Sequence, residues 1–279
     1  MLKTRIITAL IMAPIAVGGI FFLPPLGFAL FTGIIITIGA WEWGNLAGLT
    51  GQAGRIAYAA LVAAILYGLI IVNAVGVLWL ALAWWVVCFI LVRQYPDASQ
   101  YWQPTPIRAV MGLLVLVPAW VGLNHLRNGD FVFGEISNNL LLILYVFCIV
   151  WVADIGAYFS GRAFGKAKLA PRVSPGKSWA GVWGGLLAVG VFSVVISLLA
   201  DASMLNGALL LVASLITGSV SVLGDLLESM MKRFRGIKDS SQLLPGHGGI
   251  MDRIDSLTAA IPVFALLITL LGWLAASGL

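Results

Sequence analysis

Residues 179–200 read Trp179-Ala-Gly-Val-Trp-Gly-Gly-Leu-Leu-Ala-Val-Gly-Val-Phe-Ser-Val-Val-Ile-Ser-Leu-Leu-Ala200. No charge interrupts the run, and apart from two indoles its only polar side chains are Ser193 and Ser197. A bilayer core about 30 Å thick is crossed by a helix of about 20 such residues. A surface helix of a soluble protein keeps a polar face; this segment has none. It is read as a transmembrane helix, entered from Lys177.

The same reading extends outward to eight further segments, 6–23, 27–46, 56–72, 75–92, 108–126, 138–158, 204–227 and 254–276. Only Asn73-Ala74 separates the third from the fourth. None alternates in the manner of a membrane-barrel strand. Pro14, Pro118 and Pro262 fall inside spans, where neighbouring helices absorb the lost hydrogen bond. The expected fold is therefore all-α: a polytopic transmembrane helical protein with nine spans. It forms one integral-membrane unit over 1–279, with spans one to five in 1–130. Spans six to nine and the loops 159–178 and 228–253 make up the part 131–279 that carries the chemistry.

Composition agrees. The 279 residues are 61% hydrophobic and 10% charged, against about 25% charged in an ordinary soluble domain. This excludes a disordered chain and leaves too few polar side chains to clothe a soluble globule. Cys88 and Cys148 lie in apolar runs with no Cys/His cluster, so neither a disulfide framework nor a zinc site is indicated. The N-terminal Met1-Leu2-Lys3-Thr4-Arg5 and the apolar run after it imitate a signal peptide but lack a convincing cleavage site, and are read as a retained first helix.

Charge placement orients the chain. With the N-terminus in the cytoplasm and nine spans alternating, every Lys and Arg except Arg127 falls on the inside, out of 16, as the positive-inside rule requires. Basic residues placed between spans point to anionic lipid headgroups or anionic substrates as partners, and not to nucleic acid.

The densest polar stretch is 225–256. Asp225 and Glu228 are three apart and share a helix face; Asp252 and Asp255 repeat that spacing at the start of the ninth span. Two such pairs flanking a loop suit a hard cation, and Mg²⁺ is typically held by one or two carboxylates with phosphate oxygens and waters. Pro245-Gly246-His247-Gly248-Gly249 lies between them, its glycines allowing close backbone approach, and it leads into a helix N-terminus, which favours phosphate. Taken singly, Asp252 and Asp255 also read as helix-start acids, Lys232, Arg233 and Arg235 as membrane anchors, and His247 as a solvated loop residue. Asp225 is harder to dismiss, because an acid near a membrane boundary is expensive; Asp154 also reads as a helix-end residue paired with a loop cation. Lys166, Lys168, Arg172 and Lys177 follow Asp154 with no acid among them, which suits phosphates. Glu42, in Trp41-Glu42-Trp43, either lines the site or pairs with Arg55. His125, near the outer face, is read as structural.

The pattern Ser229-x2-Lys232-Arg233-x4-Lys238-Asp239-x-Ser241-x2-Leu244-Pro245-x-His247-Gly248-Gly249-Ile250-x-Asp252-Arg253-Ile254-Asp255 resembles the signature of the phosphatidate cytidylyltransferases, or CDP-diacylglycerol synthases. Gly224-Asp225 and Ser174-Pro175-Gly176-Lys177-Ser178-Trp179 are similar to that family as well; Ala180 departs from the Glu or Gln of many members. The resemblance implies the reaction CTP + phosphatidate → CDP-diacylglycerol + pyrophosphate. It implies catalytic roles for Asp225, Lys232, Arg233, Lys238, Asp239, His247, Asp252, Arg253 and Asp255. Substrate contacts are expected from Asp154, Lys177, Ser178, Gly248 and Gly249. One or two Mg²⁺ ions are expected on Asp225 and Asp252, with Glu228 and Asp255 as further ligands. A homodimer in the inner membrane of a bacterium, with its active site on the cytoplasmic face, is also implied. A CTP-dependent polyprenol or phytol kinase, which would release CDP, and a transporter remain the alternative readings.

Overall fold

The computed structural model describes residues 2–72 and 74–275, and the side chains of all of these except 2–7, 9 and 13. The side chains of Lys3 and Arg5, which entered the charge count, the junction residue Asn73, and residues 276–279 lie outside it. A helix stands on each of the nine apolar segments. They are α1 (Leu2–Phe22), α2 (Pro25–Ala47), α3 (Gln52–Ile71), α4 (Val77–Arg93), α6 (Thr105–Asn128), α7 (Asn139–Phe164), α8 (Trp179–Leu199), α9 (Met204–Arg235) and α10 (Met251–Leu270), with a single turn, α5 (Ser99–Trp102), before α6. Seven of these are long and apolar enough to cross a membrane; α4 has 17 residues, and α1 contributes the shorter apolar stretch Leu10–Phe22. This is an integral-membrane, all-α architecture.

Local chemistry sets the helix ends. Pro25 opens α2 at a position whose amide has no intrahelical partner, and Gly48 closes it at φ 97°, a left-handed conformation that costs a glycine little. Gly236 closes α9 in the same way at φ 69°. Ser178 caps α8, its hydroxyl accepting from the Gly181 amide at 3.2 Å.

Contacts between helix ends show that successive helices run in opposite directions. At one end Thr8 meets Pro245, Arg108 meets Leu46, Arg233 meets Val173 and Arg235 meets Asn45. At the other end Arg127 donates to the Leu23 carbonyl, and Glu135 donates its amide to Ala200. His125 is buried there and bonds Thr269 at 2.8 Å, in keeping with a structural role.

The loops differ from the sequence expectation. Helix α7 runs on to Phe164. The rest of the basic loop is a β-hairpin, β2 (Lys168–Ala170) antiparallel to β3 (Ser174–Ser178), so the Ser-Pro-Gly-Lys-Ser motif is a strand. The mixed loop is shorter than 228–253, because α9 continues to Arg235 and α10 begins at Met251. The last helix stops at Leu270 instead of 276. Gly272 turns the chain at φ 74°, and β4 (Leu274–Ala275) pairs with β1 (Asp130–Phe131), an association between distant residues that no local pattern announces.

Helices α7 and α8 pack through small residues. A Cβ on Gly156 would lie 2.8 Å from the Gly184 carbonyl, and one on Gly185 would lie 2.7 Å from that of Ala153. Such closeness is the usual basis of helix association in lipid. It brings the second half of α7, with Asp154, against the first half of α8, which Lys177 precedes on β3.

Candidate active site

Two polar clusters meet where α7, α8, α9 and α10 end or begin. The first surrounds a cavity of about 390 Å³ between α7, α8 and α9. Asp154, Arg162, Lys177 and Asp225 provide its charged side chains; glycines, alanines, valines and a leucine form much of the remaining wall. Lys177, delivered by strand β3, places its ammonium 2.6 Å from Asp225 Oδ2. The other Asp225 oxygen accepts from the Ser229 hydroxyl at 3.1 Å, one helical turn on. Ser178 is buried as the α8 cap, its hydroxyl committed to the backbone.

The second cluster lies one turn further along α9. The Lys232 ammonium sits 2.7 Å from both Glu228 Oε2 and Asp252 Oδ1. Asp252 Oδ2 accepts the amides of Ser240 (3.0 Å) and Gly249 (2.8 Å) and lies 3.0 Å from the Ser240 hydroxyl. Both Asp252 oxygens are thus engaged by protein donors. The loop between α9 and α10 is pinched by Leu244 and Gly248, whose amide and carbonyl pair at 2.8 Å. Gly246 and Gly248 take φ of 77° and 82°, and a Cβ on Gly248 would lie 2.6 Å from Asp252 Oδ2. The glycines of the motif therefore let the loop fold back onto Asp252. His247 is half-buried, with Nδ1 enclosed and, among the described residues, without a hydrogen-bond partner.

Asp255 lies within electrostatic reach of Glu228 and Asp225, and its Oδ1 accepts the Ser256 amide at 2.7 Å. Glu228 is 1% exposed, with one oxygen on the Lys232 ammonium and its carboxyl beside that of Asp255. Asp225, Glu228 and Asp255 thus bring carboxylate oxygens, the donor type a hard cation takes, to neighbouring positions. Among the described residues no three acids converge closely enough to enclose an ion by themselves.

Of the remaining sequence candidates, Lys238, Asp239 and Arg253 are exposed around the site. Arg233 is exposed but tied back, its Nε donating to the Val173 carbonyl in the hairpin at 3.1 Å. Two participants escaped the sequence reading. Arg162 faces the cavity, and its signal was no more than a basic residue at a helix end. Ser240 was a free position of the motif, yet it is buried beside Asp252. Glu42 is in the second cluster: its carboxylate binds the 240–251 loop. Arg55 instead bonds Asn45 at 2.6 Å and the Leu49 carbonyl at 2.9 Å, so the alternative pairing with Glu42 is not formed.

A charged pocket with an apolar flank, next to the signature motif, is matched by kinship. The sequence matches the cytidylyltransferase family over residues 3–271. The chain belongs to that family. Cytidylyltransferase relatives include the phosphatidate cytidylyltransferase of Pseudomonas aeruginosa, 54% identical over 275 residues that span 98% of this chain and 99% of the relative. The phosphatidate cytidylyltransferase of Haemophilus influenzae is 39% identical over 292 aligned residues, 95% of this chain and 98% of the relative. That of Brucella suis is 37% identical over 267 residues, 93% and 90%. Cytidylyltransferase identity thus extends over the apolar helices and not only over the motif.

Proposed function

We propose that this cytidylyltransferase is a phosphatidate cytidylyltransferase, forming CDP-diacylglycerol and pyrophosphate from CTP and phosphatidate. The observation that carries the reading is the cavity between α7, α8 and α9, charged at Asp154, Arg162, Lys177 and Asp225 and apolar along its flank. Such a cavity fits a phosphate on a diacylglycerol: the headgroup meets the charges while the acyl chains stay in the bilayer. The names of the relatives support the same substrates.

A non-bridging oxygen of the phosphatidate phosphate attacks the α-phosphorus of CTP. The bond from that phosphorus to the β-phosphate oxygen breaks, and pyrophosphate leaves. The nucleophile is already an anion at neutral pH, so no side chain must remove a proton. The difficulty is to bring two polyanions together and align them, and catalysis of phosphoryl transfer is largely positioning and charge stabilisation. Lys177 and Arg162 neutralise phosphate on the cavity side. Lys232, Lys238 and Arg253 do so on the side of the α9–α10 loop. Asp225 and Asp252, with Glu228 and Asp255 beside them, are the groups that would hold Mg²⁺ on exchanging a protein donor for it; the ion, when bound, would supply further charge neutralisation of the phosphates.

The charged helix ends face the cytoplasm in this reading, because nearly all basic residues lie on that side and CTP reaches the site from water. The test is direct. Purified protein in detergent is given phosphatidate, CTP and Mg²⁺, and the products are resolved. CDP-diacylglycerol with equimolar pyrophosphate is expected; release of CDP would mark a lipid kinase instead, and absence of turnover would refute both.

A further inference from the structure

Glu42 is the one acid of the second cluster that the proposed reaction leaves without a task. It stands near the end of α2, far in sequence from the signature motif, and its side chain is fully buried at 0% exposure. Its Oε1 accepts from the Ser241 hydroxyl at 2.6 Å and from the Ile250 amide at 3.0 Å. Its Oε2 accepts from the Met251 amide at 2.6 Å and lies 3.2 Å from the Ser240 hydroxyl. Among the described residues it has no ion-pair partner.

A carboxylate without a cation persists in such a place only when donors replace its lost water. Here they are supplied by one segment, residues 240–251. Two of them are the first amides of α10, which have no intrahelical acceptor and carry the positive end of the helix dipole. Ile250, at the cap position of α10, has no side chain able to accept them, so Glu42 caps the helix from another part of the chain.

The same segment holds Asp252. The Ser240 hydroxyl lies between Glu42 Oε2 (3.2 Å) and Asp252 Oδ2 (3.0 Å) and has a single proton to give. The Ser240 and Gly249 amides both donate to Asp252, whose other oxygen holds Lys232. Gly249 sits where a Cβ would collide with the Ser240 hydroxyl and crowd the Glu42 carboxylate. The chain of contact runs from Glu42 through the loop to Asp252 and Lys232.

We infer that Glu42 is a positioning residue: through the 240–251 loop it sets Asp252, and thereby the Lys232 ammonium, without touching substrate. The inference rests on the reaction proposed above. A cap that merely added stability would cost the same wherever Asp252 is altered; a positioning residue loses its effect when the group it positions is gone.

The full chain in detergent micelles is assayed as wild type, Glu42→Gln, Asp252→Asn and the double variant. The glutamine presents an NH₂ group to donors that need an acceptor. Glu42→Gln is expected to lower kcat about 10- to 100-fold, as loss of a supporting contact does, with KM for CTP changed less than about threefold. In the Asp252→Asn background it is expected to cost less than about threefold. Unchanged kcat, or an equal loss in both backgrounds, overturns the inference. If Glu42→Gln does not fold, Ser241→Ala, which removes one of the four donors, decides in its place: a kcat loss of about threefold that vanishes with Asp252→Asn supports the inference, and an unchanged kcat overturns it. Amide hydrogen exchange supplies a readout without turnover. Exchange at Ile250 and Met251 is expected to be at least tenfold faster in the Glu42 variant than in wild type, and equal rates overturn the inference. Wild-type protein that makes no CDP-diacylglycerol while keeping that exchange contrast fails the proposed reaction and not the loop contact.

Discussion

The Lys177 ammonium lies 2.6 Å from the Asp225 carboxylate, joining the strand of the β2–β3 hairpin to a membrane helix. Neither side chain is fully buried; they are 25% and 31% exposed, so the pair remains open to the cavity. In the proposed reaction Lys177 leaves this acid to meet a phosphate. Lys177→Ala is expected to lower kcat/KM by about 100-fold, the scale of losing one charge stabiliser, while leaving the melting midpoint nearly unchanged, because a half-exposed ion pair adds little stability. Steady-state kinetics and a thermal melt in detergent check both halves.

Lys232 is different, because it serves two acids in a buried place. Lys232→Met strands Glu228, which is 1% exposed, together with Asp252. Removing one partner of a buried pair costs about 3–5 kcal/mol, and denaturation of the variant in micelles should register a loss on that scale. Adding Glu228→Gln is expected to recover part of the stability and none of the activity. Full recovery of turnover would contradict the role given to the ammonium.

Gly249→Ala is expected to destabilise the protein by about 1–3 kcal/mol, the usual cost of overpacking, and to reduce kcat by displacing the loop. The new methyl would meet the Ser240 hydroxyl and the Glu42 carboxylate. Ala180→Gly, outside this packing, serves as a comparison in the same melt.

Chelation tests the acid cluster. Dialysis against EDTA is expected to abolish turnover and added Mg²⁺ to restore it. Asp225→Asn should raise the Mg²⁺ concentration for half-maximal rate about tenfold, as loss of a supporting ligand does. A metal-independent rate would remove the ion from the mechanism.

The interface of α7 and α8 gives a prediction of another kind. Gly156→Leu would drive a side chain into the Gly184 carbonyl and Ala188, both 2.8 Å from a Cβ at that position. Separation of the two helices should lower the melting midpoint and raise KM for phosphatidate more than for CTP, because these helices wall the cavity. Paired KM measurements decide it.

Nine apolar runs were legible without coordinates because hydrophobic length is a local property: each helix satisfies its own backbone in lipid. The signature residues from Ser229 to Asp255 were legible for the same reason, being contiguous. Their grouping with Lys177 was expected from resemblance, and the structure supplies the strand that delivers it. What stayed hidden depends on neighbours distant along the chain. Trp41-Glu42-Trp43 left two roles open for its acid, and only the fold of α2 against α10 chose between them. Asp252 looked like a metal ligand or a helix cap; folding surrounded it with Ser240, Gly249 and Lys232. The final helix ended early because Leu274 and Ala275 found partners at Phe131 and Asp130. Sequence by itself determined the apolar helices and the family signature, since hydropathy acts residue by residue and the signature is contiguous. The tertiary structure alone decided which carboxylate meets which donor, since burial makes every unpaired charge costly and only packing says what is near enough to pair.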